Sequence, residues 1–471
     1  MNHTPKNKLL FVAFYYPPAG GLALPGSQRV VKFVRYLEKQ SVSVLTLDPQ
    51  CYPSFITRDF DKNLPVRGER IFLTRSYDVF DLLLKGRVLI RRALGKGSGV
   101  AGEGTGAARA NGGGSAPPAT VDNGGGGLGQ RVKDFVYDLC HYPDGASGWI
   151  LPAVAAGRRI IRKEGVDVVF ATGMPWSSLV VAWLLHKVTG VRYVVDFRDP
   201  WIGNPFHESK GRLLDWVGRR LEKSIVQSAA LVSVNTAPLK EEFLARYPGQ
   251  PPSKFVVLTN GFDPEDFDDL PPDPAPVQGA AANRTLILAH AGFLYGKRDP
   301  APLLEALDLL VRSGRCQADD FLFLQMGNVQ LDYDFHERYR ELIEQGVVQD
   351  LGQFPFSQCL KEMQKADVLL LIQPGTKTQV PSKLYDYLCI NRPILTITPP
   401  DGALGRMIAE HRFGDLFDQA DVPGIARRLE EMLELKRNSG TFVADYPQRD
   451  SFNVERIAHA LDDYLLQAAR Y

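Results

Sequence analysis

The sequence predicts an α/β protein of two doubly wound parallel sheets facing each other across a cleft. Short apolar runs alternate with helix-period patterns from residue 9 to residue 259. The alternation stops at Asp269-Leu270-Pro271-Pro272-Asp273-Pro274-Ala275-Pro276 and resumes from residue 286 to residue 398. Strands that alternate with helices lie parallel and are joined by crossovers. A proline-rich stretch of that kind is a stiff, extended linker and marks the domain boundary.

The whole-chain numbers agree. At 471 residues the chain is too long for one core and fits two or three domains. A hydrophobic share of 44% with 23% charged residues is that of a soluble globular protein. A formal net charge of +1 gives no electrostatic ground for nucleic acid as the partner. The five cysteines contain no Cys-x-x-Cys pair, which points away from a disulfide framework or structural zinc and towards a reducing, cytoplasmic compartment.

The elements follow in order. Residues 9–14 form the first predicted strand; Pro17-Pro18 comes straight after residues 9–16, with no small-residue cleavage site, so this is not a signal peptide. Further strands are predicted at 42–47, 166–171, 193–196 and 230–235, and helices at 27–39, 178–188 and 210–227. The uncharged run 168–185 approaches the length of a membrane span. It is broken by Gly173-Met174-Pro175-Trp176-Ser177-Ser178 and reads as strand, turn and buried helix. A β-rich segment at 254–259 ends at the turn signal Asn260-Gly261. The second domain has predicted strands at 286–291, 321–326, 347–351, 368–372 and 394–398. The boundaries are 1–268, 277–450 and a final helix over 451–471.

Residues 97–130 are Gly/Ala/Ser-rich and cannot bury enough apolar surface to offset the entropy of ordering them, so a disordered insert is expected there. Gly97-Ser98-Gly99-Val100-Ala101-Gly102 and Gly124-Gly125-Gly126-Gly127-Leu128-Gly129 match the dinucleotide fingerprint by composition alone, since neither follows a strand. The basic stretch 85–96 could touch an anionic membrane surface or lie as a solvated helix beside the insert.

Four stretches carry chemistry. Residues 379–395 place Pro381 at the start of a helix whose first turn is Ser382, Lys383 and Leu384. A helix start at the carboxyl end of a parallel strand presents amides and the positive end of a dipole, which suits a phosphate; Lys383 adds a cation and Ser382 a hydroxyl. Asp386 lies one turn on, where a carboxylate could take ribose hydroxyls. Tyr15-Tyr16-Pro17-Pro18-Ala19-Gly20-Gly21 is a glycine loop in which bare backbone could admit a sugar or phosphate, or form a plain strand-to-helix turn. Asp196-Phe197-Arg198-Asp199-Pro200-Trp201 sets three charges at a buried strand's end, for a ligand or for an ion pair that fixes the loop. His290-Ala291-Gly292-Phe293-Leu294-Tyr295-Gly296-Lys297-Arg298 repeats strand, glycine loop and cations, which could neutralise a leaving diphosphate.

The bland readings prevail elsewhere. Asp-x-Asp at Asp59/Asp61, Asp266/Asp268 and Asp332/Asp334 is not at a strand end, and the last pair begins a helix. The eight histidines show no metal-ligand spacing, and no P-loop or Gly-x-Ser-x-Gly is present.

Taken in order, the Tyr16-Pro17-Pro18-x-Gly20-Gly21 opening, residues 144–149, the 196–201 run, Asn260-Gly261-Phe262-Asp263 and Pro381-Ser382-Lys383-Leu384-x-Asp386 resemble a GT-B glycosyltransferase of the family-4 type. The resemblance covers nearly the whole chain outside 97–130 and implies two Rossmann-like domains, the first holding the acceptor and the second the nucleotide sugar. The last helix would pack back on the first domain. It implies a retaining, metal-independent transferase with no cofactor beyond the nucleotide-diphosphate sugar, and a glycan or lipid-linked acceptor. Polysaccharide or glycolipid assembly in the cytoplasm, with a peripheral contact at the inner face of the membrane, completes the expectation.

By the same resemblance, Gly292 lies beside the diphosphate with Arg298 as its basic partner and Lys297 adjacent. Ser382, Lys383 and Leu384 surround the β-phosphate, Asp386 takes the ribose and residues 352–355 adjoin the base. Arg198 and Asp199 line the acceptor side with Gly20 and Gly21, and Arg298, Lys383 and Asp199 carry the catalysis. One departure stands out: Thr378 occupies the place of the first glutamate of the family's Glu-x7-Glu pattern, and Asp386 that of the second. A nucleotide-sugar 2-epimerase and a non-catalytic nucleotide-sugar-binding protein are the alternatives.

Overall fold

In the computed structural model the described residues are 6–20, 24–54, 56–58, 64–85, 128–204, 209–268, 284–373, 376–439 and 444–470. Gly21, the linker 269–276, the basic residues 86–96 and residues 97–127 of the glycine-rich stretch lie outside them. The chain divides into two compact units. The first comprises Met1–Asn235, Leu239–Leu258 and Ala458–Tyr471, and the second Thr236–Pro238 and Thr259–Ile457.

The first unit holds a parallel seven-stranded sheet. In chain order its strands are β1 (Asn7–Val12), β2 (Gln40–Leu47), β3 (Arg70–Thr74), β4 (Val168–Gly173), β5 (Arg192–Phe197), β6 (Leu231–Val234) and β7 (Phe255–Val257). The spatial order is β3-β2-β1-β4-β5-β6-β7, so the chain winds outward from β1 and then starts again on its other side. Strands β4 and β6 are buried along their whole length, as expected of a parallel sheet covered on both faces.

The second unit repeats the plan. Strands β8 (Leu286–Ala291), β10 (Phe321–Met326), β12 (Val348–Asp350), β13 (Val368–Ile372), β14 (Ile394–Ile397) and β15 (Asp415–Phe417) lie in the order β12-β10-β8-β13-β14-β15. A two-stranded parallel ribbon, β9 (Leu294–Tyr295) with β11 (Val329–Gln330), follows the ends of β8 and β10. All five side chains of β13 are buried, each contributing about 1.5–3 kcal/mol of apolar transfer.

Both units therefore have the doubly wound sheets the sequence predicts, and β8, β10 and β13 begin and end at the predicted residues. Two edge strands, β3 and β15, escaped sequence reading. Neither has a buried residue in its burial pattern, so neither carries the continuous apolar run that marks a strand from sequence. The glycine-rich stretch also ends earlier than expected. Residues 128–130 open the Leu128–Cys140 helix, whose Tyr137 ring packs edge-on against Phe80.

Asn260-Gly261-Phe262-Asp263 has a structural explanation. Phe262 N donates to Phe452 O (3.1 Å) and Val454 N to Phe262 O (2.9 Å), pairing this turn with the chain just before the last helix, Val454–Arg470. A Cβ on Gly261 would lie 2.6 Å from Phe452 O and 2.8 Å from Ile457 Cδ1. Gly261→Ala is expected to destabilise the protein by about 1–3 kcal/mol through overpacking, read as a lower midpoint in thermal unfolding. Beyond residue 457 the last helix belongs to the first unit, where the buried Asp462 carboxylate accepts from Glu38 N (2.6 Å) and Lys39 N (3.0 Å). Among the described residues no helix is long and apolar enough to cross a membrane.

Candidate functional site

Strands β8 and β13 are neighbours from which the chain departs in opposite directions. Loops leaving their carboxyl ends diverge, and ligands of open α/β sheets bind in the crevice this opens. The residues that follow each strand meet there. His290 and Gly292 come from the end of β8, Gln325 from β10 beside it, Gln373 from the end of β13, Arg298 from the loop after β9, and Lys383 from the start of the Lys383–Ile390 helix.

Two glycines make the crevice close-packed. Gly292 has φ of 141° and Gly327 φ of 133°, values that side chains rarely permit. A Cβ on Gly327 would sit 2.6 Å from the Gly292 carbonyl carbon, and one on Gly292 would overlap Lys383 Nζ. The ammonium group thus lies directly against bare backbone. Gly327 N donates to Gly352 O (2.7 Å), which brings the start of the 352–355 segment to the same place. Gly292→Ala is expected to expel the Lys383 side chain and to destabilise the protein by about 1–3 kcal/mol, read as a lower midpoint in thermal unfolding.

The hydrogen bonds run through neutral side chains. Gln325 Nε2 donates to Gly292 O (2.9 Å) and Gly327 O (3.2 Å), and its Oε1 pairs with His290 Nδ1 (2.8 Å). His290 Nε2 stands 3.4 Å from Lys383 Nζ. Arg298 Nη2 donates to Gln373 Oε1 (2.8 Å), and Gln373 Nε2 to Thr376 Oγ1 (3.2 Å). The Arg298 guanidinium lies over the Tyr295 ring at 5.1 Å, and its Nε is buried without a hydrogen-bond partner.

Electrostatically this is a site short of negative charge. Burial pushes Lys383 down to about 7, and Arg298 pushes it the same way against the smaller opposing influence of Cys359 and Asp386. Burial also lowers Arg298, and burial together with Lys383 holds His290 well below its ordinary value. Cations whose charged forms are disfavoured in this way would be relieved by an incoming anion.

The other second-unit residues take varied places. Ser382 is exposed at the helix start and makes no side-chain cap. The Leu384 side chain is buried, and its N–H donates to Pro381 O (3.2 Å), so of this turn it is Lys383 that reaches the glycines. Asp386 is half-buried and Lys297 exposed. Thr378 accepts at its carbonyl from Thr236 Oγ1 (2.6 Å). Asp334 caps the Phe335–Arg338 helix through Glu337 N, and among the described residues no three His, Cys, Asp or Glu side chains cluster as a metal site.

In the first unit the 196–201 run divides its labour. Asp196 is fully buried; it accepts from Arg29 Nε and Nη2 (both 3.0 Å), Thr172 Oγ1 (2.8 Å) and Ser233 Oγ (2.8 Å). It is a clamp across the sheet, and Asp196→Ala would strand a buried guanidinium. A loss of about 3–5 kcal/mol in urea unfolding is expected. Arg198 donates from Nε to Gly173 O (2.9 Å) and from Nη2 to Met174 O (2.6 Å), pinning the loop after β4. Asp199, half-buried, follows it. Gly20 is buried with its N–H on Thr57 O (3.0 Å), and Tyr16 donates to Glu69 Oε1 (2.6 Å), so this loop is anchored at both ends.

Sequence reading gave no role to His290, Gln325 or Gln373. Each is the polar residue that closes an apolar run at a strand's carboxyl end, and that position was the available signal.

Comparisons with known proteins agree with this architecture. Residues 106–261 match the family model of the glycosyl transferase 4-like domain. No curated protein sequence matches significantly. HepE of Anabaena, solved with UDP and glucose, is 15% identical over 98% of this chain and 100% of its own, with a TM-score of 0.55. The sucrose-phosphate synthase of Thermosynechococcus elongatus is 16% identical over 98% and 99%, with a TM-score of 0.55. The N-terminal domain of the Candida albicans trehalose-6-phosphate phosphatase is 11% identical over 99% and 98%, with a TM-score of 0.57. The chain has the GT-B fold, and in residues 106–261 its sequence is similar to the glycosyl transferase 4-like domain.

Proposed function

We propose that this protein is a glycosyltransferase that moves a sugar from a nucleoside diphosphate sugar to a hydroxyl acceptor, with retention of anomeric configuration and without a metal ion. The observation that carries the reading is the pair of half-buried cations at the switch point of the second sheet, Lys383 against the bare backbone of Gly292 and Arg298 over the Tyr295 ring. The bond between the anomeric carbon and the β-phosphate oxygen breaks, and negative charge grows on the departing diphosphate. Arg298, held by Gln373, and Lys383, held against Gly292, meet that charge without having to reorganise, the kind of contribution that is usually largest. The leaving phosphate takes the acceptor's proton, so no separate base is assigned. Asp386 would take the ribose.

The first unit would hold the acceptor. Because Asp196 and Arg198 are committed to the fold, Asp199 is the residue of that run proposed to meet it. Glycan or glycolipid assembly is the proposed setting. A peripheral membrane contact rests on exposed Val132, Phe135 and Leu139 beside Arg131 and Lys133; co-sedimentation with anionic vesicles tests it.

Thermal-shift measurement against UDP-, GDP-, ADP- and TDP-sugars tests the donor. One series should raise the unfolding midpoint in step with occupancy. UDP comes first because the Anabaena protein binds it. No shift with any of them would oppose the proposal. Thr378, in place of a glutamate, favours a second reading as a non-catalytic binder, which would show the shift but no turnover with any acceptor.

A further inference from the structure

We propose that His290 is a positioning residue for Lys383: locked by Gln325 as a hydrogen-bond acceptor at Nε2, it holds the ammonium group against Gly292, aimed at the phosphates. The inference rests on the reading of Lys383 as a diphosphate ligand and adds the device that orients it. Its first step is the orientation of the Gln325 amide. Nε2 faces two carbonyl oxygens, Gly292 O and Gly327 O, so this end must be the donor. Oε1 is then the acceptor, and the His290 nitrogen 2.8 Å away, Nδ1, must carry the proton. The other ring nitrogen, Nε2, is left with its lone pair, and the atom facing it at 3.4 Å is Lys383 Nζ, which can only donate.

The ring cannot escape this state by taking a second proton. It is 0% exposed, and the charged groups facing it, Lys383 and Arg298, are both cations. A neutral imidazole orients a lysine without cancelling its charge, whereas a carboxylate in that place would compete with the phosphates. The same glutamine also ties the backbone oxygens of both glycines, so a single amide fixes the ring and the surface on which the ammonium rests.

The test combines calorimetric titration with nitrogen NMR of 15N-histidine-labelled protein. Inorganic pyrophosphate, UDP and uridine are titrated into the wild type and into His290→Leu, His290→Gln and Lys383→Ala. His290→Leu should weaken pyrophosphate and UDP about tenfold, as for one lost charge-assisted hydrogen bond, and leave uridine unchanged. His290→Gln, which returns an acceptor oxygen, should recover most of the loss. In the wild type, the His290 resonances should show Nδ1 protonated and Nε2 bare, and the Nε2 signal should move in Lys383→Ala. Pyrophosphate binding unchanged in His290→Leu, or a proton on Nε2, overturns the proposal; the spectrum decides if that variant does not fold. If Lys383→Ala binds pyrophosphate as tightly as the wild type, or the wild type binds none, the diphosphate reading itself fails and the proposal with it.

Discussion

Arg298→Ala is expected to lower kcat/KM by about 10²–10³, the usual effect of removing one preorganised donor from a developing anion, while leaving the unfolding transition nearly in place. The fold should tolerate the change because Arg298 makes no ion pair among the described residues; its guanidinium bonds to Gln373 and lies over Tyr295. Its removal also relieves Lys383, which Arg298 pushes towards the neutral form. The variant should therefore show weaker transfer and a Lys383 that titrates at higher pH. Those two changes come together only if the two cations share one site. Steady-state kinetics on a donor found by the thermal-shift screen measures the first, and unchanged turnover would oppose the assigned role.

The second large effect is on pH. The groups that act on Lys383 are Arg298, which lowers it, and Cys359 and Asp386, which raise it less than burial lowers it; His290 facing it is uncharged. In the free protein Lys383 sits at about 7. A bound diphosphate favours the ammonium form and raises that value, so binding takes up a proton whenever the free amine is neutral. Below about 7 the lysine is already charged and affinity should be flat with respect to this group. Above that point the dissociation constant for UDP should rise up to about tenfold per pH unit, until the pKa of the bound state is reached. Calorimetry at pH 8 in buffers of different ionisation enthalpy should register up to one proton taken up per UDP, and Lys383→Ala should abolish both the uptake and the slope. Affinity that strengthens from pH 7 to pH 9 would carry the wrong sign.

The architecture was legible because burial writes itself into composition. The Val368–Ile372 strand has no polar atom on any side chain, and a parallel strand covered on both faces needs none. The edges were harder to read: β3 and β15 have partly exposed residues throughout and lack such a run. At the site, Lys383 and Gly292 were found because a charge at a helix start and a glycine at a strand end are local signals. His290, Gln325 and Gln373 depend on partners at 35, 33 and 75 positions' separation in Gln325, Gly292 and Arg298, and no local pattern announces those meetings. The 196–201 run shows the converse. Its three charges look alike in sequence, yet Asp196 is spent on Arg29, Thr172 and Ser233, and Arg198 on two carbonyl oxygens.

A crystal structure of the protein with UDP would decide most. The β-phosphate oxygens should lie within hydrogen-bonding distance of both Lys383 Nζ and the Arg298 guanidinium, beside the Gly292 backbone, with the nucleoside directed towards residues 352–355. UDP bound with its phosphates away from the carboxyl ends of β8 and β13, or with either cation turned from them, would contradict it.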